Sequence, residues 1–436
     1  MSERVSILIR SSARPELTDA LQSLIGQSHR DIEVVIVNVT GRPHPPLPAQ
    51  AAALKVKLVE PGPQLPRPLA ANVAIEAAAG DHAMFLDDDD VLDPEHIATC
   101  IAAVRADRKR LPFTGSQICG AAGELHAVWP ALAFGALEIV ERIRLQPSAA
   151  LIPRVVIDEG IRFDPELPIF EDWDFWIRVS RRIPFRPVAA NTAVARLALG
   201  TSGTGVGANF DLERTARESR PFHFKWESER LALTEALKGL SSDAEAAFVA
   251  GDIDRAESLS MEVQRLRIWD ATTLSRLARI AAARNDSERA RRFAIAAERA
   301  RLLVRPPLTH QRLTELHGHL QRGNTLAEAG NYADAEIEFN SAIALQQGDQ
   351  TACNGLANIR IIQRRHAEAE ELLRQGMAWG DRAYPPLILK RASLLEQLGR
   401  RNEARELYRG LARLVPHHPP VRDRLFALEA IESAAA

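Results

Sequence analysis

Residues 83–94 read Ala83-Met84-Phe85-Leu86-Asp87-Asp88-Asp89-Asp90-Val91-Leu92-Asp93-Pro94. Four apolar residues suit a short buried strand, and the proline that follows marks the start of a helix. Between the two stand four successive carboxylates. Working outward, Val5–Ile9, Ile32–Asn38 and Val56–Val59 are further brief apolar runs bounded by polar or turn residues, so they too read as strands. Pro15–Ile25 and Leu69–Ala79 have apolar residues at helical spacing, with Pro15 acceptable in a first helical turn. Strand–helix–strand alternation predicts an α/β domain with a mostly parallel sheet. Ligands of such sheets bind beyond the carboxyl ends of the strands, which directs attention to the residues after Ile9, Val37 and Leu86.

Like charges crowded at a strand end repel one another unless solvent or a cation intervenes. Oxygen-rich carboxylate sites suit Mg²⁺ or Mn²⁺, which in turn hold a diphosphate. The bland alternative is a solvated acidic turn. A second acidic block, Phe170-Glu171-Asp172-Trp173-Asp174-Phe175-Trp176, places carboxylates among large rings at what reads as a helix start. Asp172 there is either a cap favoured by the helix dipole or a general base tuned toward neutral pH by partial desolvation. Trp173 and Trp176, three apart, also fit a core-facing stripe.

The chain has 436 residues, too many for one ordinary core, so two or three domains are expected. With 46% hydrophobic and 26% charged residues it reads as a globular protein. A net charge of -2 gives no global reason to expect nucleic acid or an anionic membrane as partner. Cys100, Cys119 and Cys353 lie far apart without metal-ligand spacing, which argues against a zinc site and for a reducing compartment. No apolar segment reaches membrane-spanning length, and Val5–Ile9 is too short for a signal-peptide core. A cytoplasmic location is the expectation.

From about Leu237 the strands stop, and Ala, Leu, Arg and Glu dominate. A short signature recurs, beginning at Gly251, Asn285, Gly330, Arg364 and Gly399, and ending at Ala256, Ala290, Ala335, Ala369 and Ala404. Those alanines are 34, 45, 34 and 35 residues apart. A period of about 34 is that of the tetratricopeptide repeat, a helix–turn–helix unit. The long interval contains Arg305-Pro306-Pro307, a helix breaker. An irregular helical bundle is the alternative. The expected domains are therefore 1–236 and 237–436.

The stretch from Arg4 to Trp226 resembles family 2 glycosyltransferases of the GT-A fold. Their opening is similar to Val5-Ser-Ile-Leu-Ile-Arg10-Ser-Ser-Ala-Arg14-Pro15-Glu16-Leu17, followed by Gln27 and Ile32–Val37. Ala71-Asn72, Gly80-Asp81 and the carboxylate run resemble that family's central block, and Glu171-Asp172-Trp173-Asp174 its acid-aromatic block. The order and spacing of all four blocks make the likeness specific, although each alone is loose.

The resemblance implies a nucleotide-sugar donor, first a UDP-sugar, and a divalent cation, Mn²⁺ or Mg²⁺. It implies that Asp87 and Asp89 are the two acids of the DXD motif, with Asp89 the direct metal ligand. Asp87 would contact ribose or a metal-bound water, and Asp88 is grouped with the donor-binding residues. Arg10, Ser11 and Arg14 would surround the nucleotide, Asn38 would lie where relatives bind the base, and Asn72 would line the pocket. Asp172 would be the catalytic base. His223 falls where some relatives place a late metal or phosphate ligand, with packing as the alternative. Gly200–Gly207 would be a lid over the donor phosphates or a plain connection. The departure from the pattern is Val37-Asn38-Val39-Thr40-Gly41, where relatives carry at least one aspartate. Asn38 both donates and accepts, so uracil recognition stays open.

The chemistry so implied is a single inverting displacement onto an acceptor hydroxyl of a glycan, lipid-linked or protein partner. Phe113–Trp129 is expected to help line the sugar pocket. The repeats would bind acceptor, partner or a second copy of the chain. A catalytically silent scaffold is the alternative from another class.

Overall fold

A computed structural model describes residues 3–60, 62–120, 123–142, 145–197, 211–303, 310–378 and 383–433. The Gly200–Gly207 segment and Arg305-Pro306-Pro307 lie outside the described residues. The chain divides into two compact units, one formed by residues 1–124 and 129–297, the other by 125–128 and 298–436.

The first unit opens with β1 (Val5–Ser11), α1 (Leu17–Ile25), β2 (Ile32–Asn38), β3 (Lys55–Val59), α2 (Arg67–Ala77) and β4 (His82–Phe85). Every residue of β1 is buried, as an interior parallel strand covered on both faces must be. β1 pairs in parallel with β2, in register from Val5↔Ile32 to Ser11↔Asn38, and with β4, from Val5↔His82 to Leu8↔Phe85. β2 pairs in parallel with β3. A two-residue strand, β8 (Ile152–Pro153), closes the edge antiparallel to β4, giving the order β3-β2-β1-β4-β8. Side-chain alternation splits the core: Ile7, Ile9, Val34, Ile36 and Met84 pack on α1, while Leu8, Val35, Val37 and Phe85 face α2. Each such fully buried aliphatic side chain contributes roughly 1.5–3 kcal/mol before entropy. Gly80, just before β4, is required by close approach. A Cβ there would lie 2.7 Å from Ser6 Oγ and 2.8 Å from the Arg4 carbonyl oxygen.

The helix expected at Pro15 starts at Leu17; Pro15 lies in the turn before it, accepting from the Thr18 N–H. Pro94 likewise precedes a helix rather than opening it. The acidic run leads first into β5 (Val91–Leu92) and then α3 (His96–Ala106). Within this unit β5 joins a second sheet in the order β5-β9-β6, from β6 (Leu111–Cys119) and β9 (Phe185–Arg196). Buried Gln27 accepts from the Ile97 N–H and donates to the carbonyls of Ser23 and Asp93, tying the end of α1 to the exit of the acidic turn.

The chain reaches the second acidic block through α4 (Ala136–Glu141) and α5 (Arg154–Asp158), and the block itself opens α6 (Glu171–Ser180). Helices then run from residue 212 onward: α7 (Leu212–Glu218), α8 (Arg220–Val249), α9 (Ile253–Leu266), α10 (Ala271–Ala283) and α11 (Ser287–Leu303). α8 passes unbroken through residue 237, where composition changes. Its first turns keep the composition of a core because Phe222 is buried, with its ring 4.4 Å from that of Trp173.

In the second unit α12 (His310–Glu328), α13 (Tyr332–Leu345), α14 (Gln350–Ile362), α15 (His366–Ala378), α16 (Pro385–Gln397), α17 (Arg401–Leu414) and α18 (Pro419–Ser433) follow in sequence. The short strand β7 (Leu125–Trp129) has its Val128 paired with Ala383 by two backbone hydrogen bonds of 2.8 and 2.9 Å. All five signature turns adopt left-handed backbone at their first residue: φ is 80° at Gly251, 58° at Asn285, 78° at Gly330, 59° at Arg364 and 76° at Gly399. That conformation ends one helix and allows the next to fold back, and it explains the preference for Gly or Asn. Ala256, Ala335, Ala369 and Ala404 are fully buried where paired helices meet, whereas Ala290 is half-buried. Among the described residues no helix is both long and apolar enough to cross a membrane.

Candidate functional site

The parallel strands deliver their carboxyl ends to one edge of the sheet, and the polar residues gather there. After β1, Ser12 donates from both its N–H and its hydroxyl to Asp88 Oδ2, at 2.7 and 2.9 Å. Ala13 takes the left-handed region (φ 61°), which turns Arg14 back toward the acids. Arg14 Nη1 lies 2.6 Å from Asp89 Oδ2, and its Nε lies 3.3 Å from Asp88 Oδ1. Buried Arg10 bridges Asp87 at 2.6 Å and Glu171 at 3.1 Å. Arg67, in the first turn of α2, reaches the same two acids, with Glu171 at 2.9 Å and Asp87 at 3.8 Å. Two arginines thus bind the end of β4 to the start of α6, although their acids stand 84 residues apart in sequence.

Charge sorts the four aspartates. Burial alone would push Asp87 up, but Arg10 and Arg67 outweigh it and hold the carboxyl at about 2. Burial, reinforced by the charge of Asp87, pushes Asp89 up to about 6 despite Arg14. Burial and its neighbours' charge push Asp90 well above the usual range; it accepts the Arg196 N–H at 2.9 Å. Burial also raises Asp88, against Arg14 and Ser12.

Three acids open α6, and each has a different environment. Glu171 is buried, yet Arg67 and Arg10 overcome that burial and keep it ionised. Asp174 is wholly buried. It binds Arg178 Nη2 at 2.7 Å, Lys225 Nζ at 2.8 Å and Trp226 Nε1 at 3.0 Å, which pins α6 to α8. Asp172, half-buried, accepts the Trp173 N–H at 2.8 Å, and among the described residues no cation forms an ion pair with it. Burial and the adjacent Glu171 charge push its carboxyl up to about 7. The preceding Phe170 sits at φ 59°, a left-handed position for a bulky residue that costs about 1–3 kcal/mol and that the surrounding aromatic packing sustains. Trp173 and Trp176 are core residues, Trp173 donating its indole N–H to the Ile139 carbonyl at 2.6 Å.

Of the residues singled out in the sequence, Arg10, Ser11, Arg14, Asp87, Asp88 and Asp89 assemble at this edge, and Arg10 links them to the Glu171-Asp172 pair. Ser11 Oγ lies 2.9 Å from His44 Nε2. Asn38 follows β2, but its side chain is engaged within its own turn. Its amide donates to the Arg42 carbonyl (2.6 Å) and to Glu60 (3.2 Å) and accepts from Thr40. Asn72 clamps the backbone of Phe163, donating at 2.9 Å and accepting at 2.7 Å. The ring contacts of His223 are to Phe170, Trp173 and Phe222, and burial lowers its basicity. Phe113, at the start of the expected sugar-lining segment, is core and packs on Phe134 and Phe185.

Arg67, Glu60 and His44 did not stand out in the sequence. Glu60 accepts the His44 N–H at 2.6 Å as well as the Asn38 amide, and these bonds lower its pKa. The signal for it was position: it is the first residue after β3 at the carboxyl edge.

The donor set at the acidic turn is all oxygen and under mutual repulsion, which fits a hard divalent cation. Such ions commonly take one or two carboxylates and complete their shell with phosphate oxygens and water. Among the described residues no cluster of three or more His, Cys, Asp or Glu is arranged to hold a metal by protein groups alone.

Residues 7–122 match the family described as Glycosyl transferase family 2. A Bacillus subtilis (strain 168) protein named uncharacterized glycosyltransferase YwdF is 27% identical over 189 residues, covering 41% of this chain and 68% of that protein. Among solved structures, S. aureus TarS aligns at 16% identity with a TM-score of 0.37, over 67% of this chain and 55% of its own; this chain thus spans about half of that protein. Its 1–349 fragment gives 16% and 0.38, over 70% and 94%. Mannosyltransferase PcManGT from Pyrobaculum calidifontis, solved with GDP-Man and Mn²⁺, gives 14% and 0.35, over 68% and 86%.

Proposed function

We propose that this chain is an inverting glycosyltransferase that moves a sugar from a nucleoside-diphosphate donor, first a UDP-sugar, to an acceptor hydroxyl. The observation that supports it most is the sorting of the acids. Among the described residues Asp172 is the acid of its block with no ion-pair partner, its carboxyl lies at about 7, and Arg10 and Arg67 hold its neighbour against the acidic turn. A base poised near the working pH is the one best able to accept a proton in the transition state.

In the proposed reaction the acceptor oxygen attacks the sugar's C1 as its proton passes to Asp172. The bond from C1 to the β-phosphate oxygen breaks with inversion, and the nucleoside diphosphate departs. Arg10 and Arg14 set cationic groups beside the leaving diphosphate, Ser11 and Asn38 shape the nucleotide side, and Asn72 braces α2 against Phe163. A divalent cation, Mn²⁺ or Mg²⁺, held by Asp89 with Asp87 and Asp88 beside it, would supply positive charge for the departing diphosphate. His223 is kept as a candidate late ligand. The tetratricopeptide-like helices, 237–436 by composition, would present a glycan, lipid-linked or protein acceptor or a partner. The reducing cytoplasm is the proposed location.

The test is nucleoside-diphosphate release from a panel of UDP-, GDP- and dTDP-sugars, with and without Mn²⁺. Cation-stimulated release from one donor that disappears in Asp172→Asn supports the reading. Binding of a protein partner with no release from any donor would favour the silent scaffold instead.

A further inference from the structure

Helices α9, α10 and α11 carry a cleft of about 640 Å³ that the proposed transfer step does not use. It lies wholly within the first compact unit. Its volume falls inside the range of roughly 300–1,000 Å³ typical of small-ligand sites. Trp269 and Phe293, both half-buried, line it together with Ile268 and Leu274, so aromatic and aliphatic surface forms its walls.

Trp269 is anchored to the sheet-bearing half of the unit. Its indole N–H donates to the Ala133 carbonyl at 2.9 Å. Glu138 on α4, fully buried, accepts the backbone N–H groups of Gly135 and Ile268 at 2.8 and 3.0 Å. Arg267 pairs with Glu141 at 2.6 Å. A Cβ at Gly135 would lie 2.4 Å from the Leu266 carbonyl oxygen, so α4 and the α9–α10 turn meet backbone to backbone. The indole has one donor and Ala133 takes it, which leaves the ring to act in the cleft as an apolar surface.

The polar side chains around the rings divide into spent and unspent. Asp286 caps α11 by accepting the Arg289 N–H at 3.0 Å. Arg289 pairs with Glu257 at 2.6 Å, and its guanidinium lies 5.4 Å from the centre of the Phe293 ring. Gln264, Glu288 and Arg292 have no side-chain hydrogen bond or ion pair among the described residues. They offer an amide, a carboxylate and a guanidinium, hence both donors and acceptors. Two arginines and two acids line the cleft, so their formal charges cancel and no charged ligand is favoured. The matching ligand is neutral, apolar on its flat faces and rich in hydroxyls around its edge. A pyranose ring with equatorial substituents has that form, because its axial C–H groups make both faces apolar.

We propose that this cleft binds a neutral glycan, with pyranose rings against Trp269 and Phe293 and ring hydroxyls bonded to Gln264, Glu288 and Arg292. Its use as a holding site for the acceptor rests on the sugar-transfer reading; the binding itself does not.

The test uses the full chain without donor or cation and saturation-transfer NMR titrations of cellohexaose and chitohexaose. Sorbitol, which has the hydroxyls but no ring face, is the control. Expected are saturation of the axial ring hydrogens of at least one hexasaccharide and none of sorbitol. Trp269→Ala should weaken binding on the order of tenfold or more, as loss of a central aromatic anchor does. Trp269→Phe keeps a ring and should retain most of the affinity. Gln264→Ala and Arg292→Ala, checked for folding by circular dichroism, should each cost about three- to tenfold, the effect of one lost hydrogen bond. Saturation of neither hexasaccharide, equal saturation of sorbitol, or binding unchanged in Trp269→Ala or in both polar variants overturns the proposal. Trp269-dependent binding in a chain that releases no nucleoside diphosphate would sink the transferase reading alone. Release without hexasaccharide binding would sink this proposal alone.

Discussion

The end of β4 and the start of α6 are both runs of acid, and they solve the same electrostatic problem in opposite ways. At the strand end, Asp87, Asp88 and Asp89 all face guanidinium groups supplied by neighbouring segments, and the remaining repulsion appears as raised pKa values at Asp88, Asp89 and Asp90. At the helix start the described cations go to Glu171 and Asp174, on either side, and none of them pairs with Asp172. One cluster is arranged to hold charge, the other to isolate a single exchangeable proton. Identical residue types therefore serve different ends, and placement of arginine and lysine decides which.

The contrast breaks most sharply at Asp172. Asp172→Asn should lower turnover on the order of 10²–10⁴-fold while nucleotide affinity, followed by calorimetry, stays close to that of the parent. Asp89→Ala should act on the other cluster, weakening Mn²⁺-dependent nucleotide binding by about 10–100-fold and turnover with it. Asp174→Asn should separate stability from chemistry. It leaves Arg178 and Lys225 without their buried acid, so unfolding free energy in urea should fall by about 3–5 kcal/mol while the folded fraction keeps its kcat. The subtlest change is Glu171→Gln. Asp172 titrates near 7 because burial and the Glu171 charge both disfavour a second negative charge, so activity should decline as pH drops through about 7. Removing the Glu171 charge eases ionisation of Asp172, and the acidic limb of the pH–kcat profile should move to lower pH.

Much of this fold was legible in the sequence because buried parallel strands are uniformly apolar. Val5–Ile9 and Ile32–Asn38 announce themselves, and β2 has the bounds expected of it. β6 and β9 did not. Leu111–Cys119 contains Pro112, Thr114, Gly115, Ser116 and Gln117, all buried, and its pairing with β9 shifts register around Gly115, so neither alternation nor a continuous apolar run marks it. The recurring helical turns were legible because left-handed backbone restricts the residue type, with Arg364 the exception that breaks the Gly/Asn pattern. At the site, acids in a row are visible in a one-dimensional string, whereas their cations are not. Arg67 stands beside a proline at a helix start and gives no hint that it reaches Glu171, 104 residues later. Asn38 ends β2 and Asn72 lies on α2, and only coordinates reveal that their amides are spent on Arg42, Glu60 and Phe163.

The most direct test of the account is a crystal structure of the chain grown with UDP and Mn²⁺. The expected result is a diphosphate beside Arg14 and Asp89, with the Asp172 carboxylate facing the space its departed sugar would fill. Nucleotide bound away from that edge of the sheet, or Asp172 turned from it, would contradict the account.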